Sequence, residues 1–150
     1  MNVKPSEMPC LSVRQPWASF IVEGIKDVEN RTWYTSYKGP VFIHASKTFT
    51  KEDYDIGKAL YFQINKDNPG AVCPFPEKED KNFFPLGGII GMANIIDCAW
   101  INTSPWFFGP YGFYFSNPVR IPFVPCKGRL KFFPVPEEAK VFIDEWEAKK

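Results

Sequence analysis

Short stretches of this chain alternate apolar and polar positions with the two-residue period of a β-strand. From Val41 to Ala45, successive residues face opposite sides of a sheet, so that Phe42 and His44 share one face. The run that begins at Gly88 is apolar on both faces, which predicts a central position in the sheet. Strands are also predicted for Cys10 to Val13, Val28 to Trp33, Gly88 to Trp100, Gly112 to Ser116, Val119 to Val124 and Arg129 to Val135.

Three other stretches follow the period of an α-helix. The first begins at Pro16, which suits a first helical turn, and ends near Gly24, which suits a C-terminal cap. The second begins at Thr50 with a capping-box pattern and runs to about Ile64, and the third covers residues 137–148. The apolar faces predicted for these helices are Trp17, Phe20, Ile21 and Ile25; Ile56, Ala59, Leu60 and Gln63; and Ala139, Phe142, Ile143 and Trp146.

The order of these elements predicts an α+β protein. Strands cluster at both ends of the chain and helices are inserted early, which is not the regular alternation of a doubly wound fold. We expect a small β-barrel of about six strands, mixed or antiparallel, with three peripheral helices. The 150 residues should form a single domain, with a core at about residues 10–136 and a C-terminal helix at 137–148.

Two segments have no regular pattern. Asn65 to Pro85 is rich in proline and too long for an idle connection in a compact domain, so it is either a lid over a site or a surface loop. Asn102 to Gly112 is rich in aromatic residues. These aromatic side chains either line a pocket or close the end of the barrel, and the second use is the more common one.

Composition narrows the range of functions. The net charge is only +1, whereas a protein that coats nucleic acid non-specifically carries a basic excess. This balance still permits a pocket that binds one base or nucleoside. Four cysteines without a CxxC pair and a single histidine predict neither a metal site nor a cofactor. With no signal-peptide pattern and no apolar run of about 18 residues, no membrane association is expected, and the expected location is the cytoplasm or the nucleus.

Polar residues that hydrophobic burial does not explain are concentrated between Leu11 and Lys47. Lys26, Glu29 and Arg31 lie just after the first predicted helix and on the next strand. A lysine close to a carboxylate can serve as a base or nucleophile, and Glu29 could accept its proton. The alternative is a surface ladder of ion pairs. Further candidates for ligand binding are Arg14, Gln15, Trp17, Arg31, His44 and Asp97.

These further candidates offer different contacts. Arg14 and Arg31 can hold a phosphate or stack on a base, and Trp17 can stack as well. His44 is either a member of the site or a hydrogen-bonded core residue. Asp97 interrupts an apolar strand, so it is either a buried carboxylate with a cationic partner or a residue that faces water at the strand end.

Several blocks of the sequence resemble the ASCH domain (activating-signal-cointegrator homology), a family of the PUA-like superfamily. They are LSVRQPWA, GIKDVENRTW, YKGPVFIHASK, GPYGF and KGRLKFFPVP, and the resemblance covers about residues 10–136. It implies a PUA-like β-barrel surrounded by helices, with a cleft beside the barrel. It also implies that the partner is RNA, a nucleotide or a nucleoside.

Some ASCH relatives resemble amidohydrolases that remove the acetyl group from N4-acetylcytidine. Their motif is a Gly-x-Lys turn, a Thr three residues after the Lys, an Arg two further on and a Glu from another strand. Lys26 and Arg31 match this motif, Glu29 stands in the Thr position, and Asp97 is a candidate for the distant Glu. Other relatives are ribonucleases or nucleic-acid-binding modules of coactivators. We therefore expect ligand binding in a polar cleft, with hydrolysis by Lys26 and Glu29 as the alternative.

Overall fold

The computed structural model describes residues 4–66, 73–76, 78, 80 and 82–150, and its framework is a sheet of six strands. The order across the sheet is β2-β5-β4-β3-β1-β6; the β1–β3 pair is parallel and the other pairs are antiparallel. The sheet curls into a half-barrel, which confirms the predicted fold class. The strands are β1 (Pro9–Val13), β2 (Val28–Arg31), β3 (Gly39–Ala45), β4 (Gly88–Ala99), β5 (Tyr111–Pro125) and β6 (Phe132–Pro134).

Helices surround this sheet. They are the α-helices α1 (Trp17–Val22), α2 (Lys51–Ile64) and α3 (Glu137–Ala148), preceded by a short 3-10 helix at Pro5–Glu7. The predicted caps are confirmed, because Gly24 has a φ of 77° just beyond α1 and Thr50 forms a capping box with Asp53. None of the helices in the described ranges has the length and apolar character needed to cross a membrane.

The alternation predicted for β3 is confirmed and divides the core in two. Val41 and Ile43 pack with α1 in one cluster of buried residues, whereas Phe42 packs in another with α3. The central position of β4 is confirmed as well, since β3 and β5 flank it.

Aromatic side chains close the open side of the half-barrel. Trp33 packs edge-on against Phe113 of β5 and Phe132 of β6, with ring centroids 4.9 and 5.4 Å away. Because β5 and β6 are not neighbours in the sheet, these contacts bring separate parts of the curled sheet together.

The apolar face predicted for α2 is wrong. Ile56 is 44% exposed, and the residues that α2 buries are Tyr54, Gly57 and Tyr61. The aromatic rings of the tyrosines bury more surface than Ile56 could, and Gly57 allows the close approach. A Cβ at Gly57 would lie 2.2 Å from Cγ of Pro16, so α2 packs directly on the start of α1.

Two further predictions need correction. The strands expected at Gly112–Ser116 and Val119–Val124 form the single strand β5, in which Asn117 has a φ of 51° and the register with β4 shifts. Such a bulge admits Pro118, which has no N–H for the sheet. On α3, Ala139 and Ile143 are buried as predicted but Phe142 is 51% exposed.

Candidate functional site

Lys26 is a buried lysine, with only 4% of its surface exposed. It follows the cap of α1, and its Nζ donates to the carbonyl oxygen of Val28 and lies 3.4 Å from Oε1 of Glu29. Burial lowers the pKa of Lys26, and the carboxylate of Glu29 opposes this shift. The predicted pairing of Lys26 with Glu29 is therefore present, but inside the protein and not on its surface.

Glu29 is held between two cations. Arg31 Nε donates to Glu29 Oε2 at 3.1 Å, and Arg31 Nη2 lies 3.0 Å from the same oxygen. Arg31 Nη2 also donates to the carbonyl oxygen of Ser12 at 2.7 Å. Since β1 and β2 are not neighbours in the sheet, Arg31 links two separate parts of the half-barrel.

A small cavity of about 190 Å³ opens beside these charges. Lys26 Nζ lies 6.0 Å from the ring centroid of Trp17, which forms one wall. Phe108 forms another wall and is 63% exposed. We call this space the base cavity; it is lined by Trp17, Lys26, Glu29, Asn30, Leu60 and Phe108.

Asn30 holds the segment before β5 against the base cavity. We call this segment, residues 102–110, the aromatic loop. Its Nδ2 donates to the carbonyl oxygen of Trp106 at 3.0 Å, and its Oδ1 accepts from the backbone N–H groups of Phe108 at 2.8 Å and Gly109 at 3.1 Å. Sequence reasoning missed this role of Asn30, although the residue lies within the VENR block. Its partners are too distant in sequence to be recognised there.

The aromatic loop has both of the uses that its composition suggested. Trp106 is buried and packs against Phe20, with ring centroids 5.7 Å apart, so it closes the core. Phe108, two residues later, lines the base cavity. The composition of the loop does not indicate which ring closes the core and which lines the cavity.

His44 lies outside the base cavity but is connected to it through Ser12. The Oγ of Ser12 is 3.0 Å from His44 Nδ1, and His44 Nε2 is 2.8 Å from the carbonyl oxygen of Cys126. Burial lowers the pKa of His44, although the carbonyl of Cys126 opposes the shift. A carbonyl only accepts, so the neutral ring donates from Nε2 and accepts the Ser12 hydroxyl at Nδ1.

Three further candidates are not brought to the base cavity. Arg14 donates to Oδ2 of Asp53 at 2.6 Å, at the start of α2. Gln15 is fully buried, and its Oε1 accepts from the backbone N–H of Ser19 at 3.0 Å, within α1. Asp97 is exposed and its Oδ1 accepts from the next backbone N–H, so of its two alternatives the structure shows the one that faces water.

The segment Asn65–Pro85 lies partly outside the described residues. Of the part that is described, Phe75 and Phe84 are buried, and the carbonyl oxygen of Pro85 accepts from Nε2 of Gln15 at 2.9 Å. None of the described residues of this segment lines the base cavity. A lid function for the segment stays a prediction.

The described ranges contain no group of three or more His, Cys, Asp or Glu residues placed to hold a metal ion. The base cavity itself is lined by an ammonium, a carboxylate, an amide, two aromatic rings and a leucine side chain. Such a set can stack on a planar ring and hydrogen-bond to its edge.

Comparison with known proteins identifies the family. The ASCH domain family matches residues 11–119, most of the chain. This chain belongs to the ASCH domain family. It is 39% identical over 134 residues to Activating signal cointegrator 1 of Homo sapiens and 38% identical over 90 residues to that of Mus musculus. The matches cover 83% and 59% of this chain but span only 22% and 14% of those proteins.

A solved ASCH structure supports the fold independently. A mutant of the ZmASCH protein from Zymomonas mobilis superposes with a TM-score of 0.51, covering 95% of this chain and 98% of that one. At 13% identity this likeness bears on the fold alone. Membership of the ASCH family supports an RNA-binding type of domain at the level of the family.

Proposed function

We propose that the base cavity binds one unpaired base of an RNA strand, or the base of a nucleotide or modified nucleoside. The observation that carries the proposal is an exposed aromatic ring, Phe108, on the same small cavity as the buried Lys26–Glu29 pair. Exposed aromatic rings stack on bases, and single-stranded RNA is recognised by stacking together with hydrogen bonds to base edges.

The charged pair supplies donors and acceptors for a base edge. The ammonium of Lys26 has three N–H groups and, within the described residues, two partners, the Val28 carbonyl and Glu29. A carboxylate has about four lone-pair sites, so Glu29 can accept from a base amino group while it binds its two cations. A base that carries an amino group beside an acceptor therefore matches the site.

The dimensions and charge favour a base over a larger ligand. Small-molecule pockets usually enclose about 300–1,000 Å³, whereas this cavity encloses about 190 Å³. The sugar and phosphate of a nucleotide would therefore lie outside the base cavity. With a net charge of only +1, the domain should bind with modest affinity and a shallow dependence on salt.

The Phe108→Ala variant tests this proposal. Its affinity for a fluorescein-labelled, mixed-sequence, single-stranded RNA, measured by anisotropy, should fall about 5- to 150-fold, because stacking contributes about 1–3 kcal/mol per base. Phe142→Ala is the matched control, since Phe142 is 51% exposed but lies on α3. Equal affinities of the two variants would show that base binding does not involve this cavity.

Hydrolysis of a modified nucleoside or of RNA is the second candidate function. It is favoured by Lys26, whose amine is desolvated, has a lowered pKa and lies 3.4 Å from Glu29 in a cavity. In this proposal Lys26 is the base or nucleophile, Glu29 accepts its proton and Arg31 stabilises the developing negative charge.

Turnover of N4-acetylcytidine and of single-stranded RNA tests the second candidate. Lys26→Ala and Glu29→Ala should each abolish turnover, whereas Lys38→Ala, which removes an exposed lysine, should not. If the wild-type protein turns over a substrate and Lys26→Ala retains the full rate, Lys26 is not catalytic.

A further inference from the structure

A second and larger cavity, of about 890 Å³, is lined in part by Ser12, whose carbonyl oxygen accepts a hydrogen bond from Arg31. Ser12 and His44 line it, as do Ser46 and Lys47 beyond β3 and the segment that follows β5. We call it the basic cavity, because Lys47, Lys127 and Arg129 surround it and Glu138 is its only lining carboxylate among the described residues.

The three cations of the basic cavity have no ion-pair partner in the described part of the chain. Lys127 and Arg129 are also exposed. Many other cations of this protein are neutralised locally; the paired ones include Arg14, Lys26, Arg31, Arg120 and Lys140. Three unpaired cations therefore line one cavity that has a single carboxylate, which favours an anionic ligand there.

Gly128 places two of the cations. A Cβ at Gly128 would lie 2.7 Å from Cε1 of His44 and 2.9 Å from Oγ of Ser12. Only glycine therefore lets this segment lie directly on the His44–Ser12 pair. Lys127 and Arg129 flank Gly128, so the close approach sets the position of both side chains at the rim.

We propose that the basic cavity binds backbone phosphates of the RNA strand whose base occupies the base cavity. This inference rests on the proposed function, and it assigns the phosphate contacts of the same ligand. Arg31 contacts Glu29, which lines the base cavity, and Ser12, which lines the basic cavity, so one side chain bridges residues of the two. In this proposal a strand with a base in the base cavity continues to the basic cavity.

The salt dependence of RNA binding tests this inference. Three phosphate contacts on a single strand correspond to a slope of log affinity against log salt of about −2, since each contributes about −0.7. Lys127→Gln/Arg129→Gln should reduce the magnitude of the slope by about 1.4. Both side chains are exposed, so folding should be retained.

Lys38→Gln/Lys149→Gln is the matched control. It also removes two positive charges from exposed side chains. Lys38 lies just before the first residue of β3, and Lys149 lies just after the last residue of α3. Its slope should equal that of the wild-type protein. If the Lys127/Arg129 variant also keeps the wild-type slope, or if polyglutamate displaces the RNA as well as unlabelled RNA does, the inference is overturned.

The two proposals fail in different ways. Phe108→Ala should weaken binding by a similar factor at every salt concentration and leave the slope unchanged, because stacking releases no counterions. If Phe108→Ala binds normally while the Lys127/Arg129 variant loses slope, the base proposal is wrong and the phosphate site stands. If only Phe108→Ala weakens binding, the phosphate proposal is wrong and the base proposal stands.

Discussion

The base cavity and the basic cavity use charged residues in opposite ways. In the base cavity, Lys26 is 4% exposed and Glu29 is 8% exposed, and Arg31 completes their ion pairs. In the basic cavity, Lys127 and Arg129 are exposed and have no ion-pair partner in the described ranges. Buried charges must be paired to be tolerated, whereas exposed cations can remain unpaired at little cost.

This difference separates charges that are paired within the protein from charges that have no ion-pair partner among the described residues. The Lys26–Glu29–Arg31 group is embedded in the half-barrel and fixes the geometry of a small, specific cavity. The cations of the basic cavity form no ion pair with a carboxylate of the described residues, so they can pair with an anionic ligand. The two cavities should therefore respond differently to substitution.

The largest effect should come from breaking the buried pair. Glu29→Leu removes the carboxylate partner of Lys26 and should lower the free energy of unfolding by about 3–5 kcal/mol, as for other buried ion pairs. Adding Lys26→Met should recover part of this loss, because the buried ammonium is then gone, whereas Arg31, whose side chain is 21% exposed, still lacks its carboxylate partner. Urea denaturation measures both. A single Glu29→Leu variant as stable as the wild type would show that the pair does not hold this region together.

A smaller effect is expected at Gly128, which lines the basic cavity. Gly128→Ala should cost about 1–3 kcal/mol of stability, because its Cβ must displace His44 or the segment itself. Leu130→Ala is the control in the same segment; Leu130 is 92% exposed, so its removal should change stability by no more than about 0.5 kcal/mol. Similar losses of stability for Gly128→Ala and Leu130→Ala, measured by thermal or urea unfolding, would mean that Gly128 is not packed against His44.

The stability of the wild-type protein should fall as the pH drops below about 6.5, the pKa of an unfolded histidine. Burial lowers the pKa of His44 in the folded state, so the unfolded chain binds a proton that the native protein does not. Because His44 is the only histidine, His44→Phe should remove most of the pH dependence between about pH 7 and pH 5. Urea unfolding of the wild type and of His44→Phe at several pH values measures this effect. The same pH dependence of the free energy of unfolding in both proteins would contradict the prediction.

The smallest effect should come from Arg14, which pairs with Asp53 away from both cavities. The side chain of Arg14 is 49% exposed, and exposed pairs usually contribute about 0–1 kcal/mol. Arg14→Gln should therefore change stability by less than about 1 kcal/mol and leave RNA affinity and its salt slope unchanged. A reduced salt slope like that expected for the Lys127/Arg129 variant would show that Arg14 contributes to RNA binding.

Local patterns in the sequence predicted the elements well, and they failed where distant residues decide the packing. The capping box at Thr50 and the alternation along β3 are local properties, and both are confirmed. The buried face of α2 was predicted wrongly, because it depends on the approach of Gly57 to Pro16 and on two tyrosine rings. The break expected at Pro118 is absent, since a shift in register with β4 accommodates the proline.

Family membership, the α+β class and the association of Lys26 with Glu29 and Arg31 could be predicted from the sequence, because they depend on motifs and on residues close together in the chain. Which polar residues share a cavity depends on how distant segments of the chain pack. Asn30 reaches Phe108 across 78 residues, and Arg31 reaches Ser12 through the curl of the sheet. The basic cavity likewise exists because the segment after β5 folds back over Ser12 and His44. Periodicity records which way a side chain faces along one element, but it does not record which distant element that side chain meets.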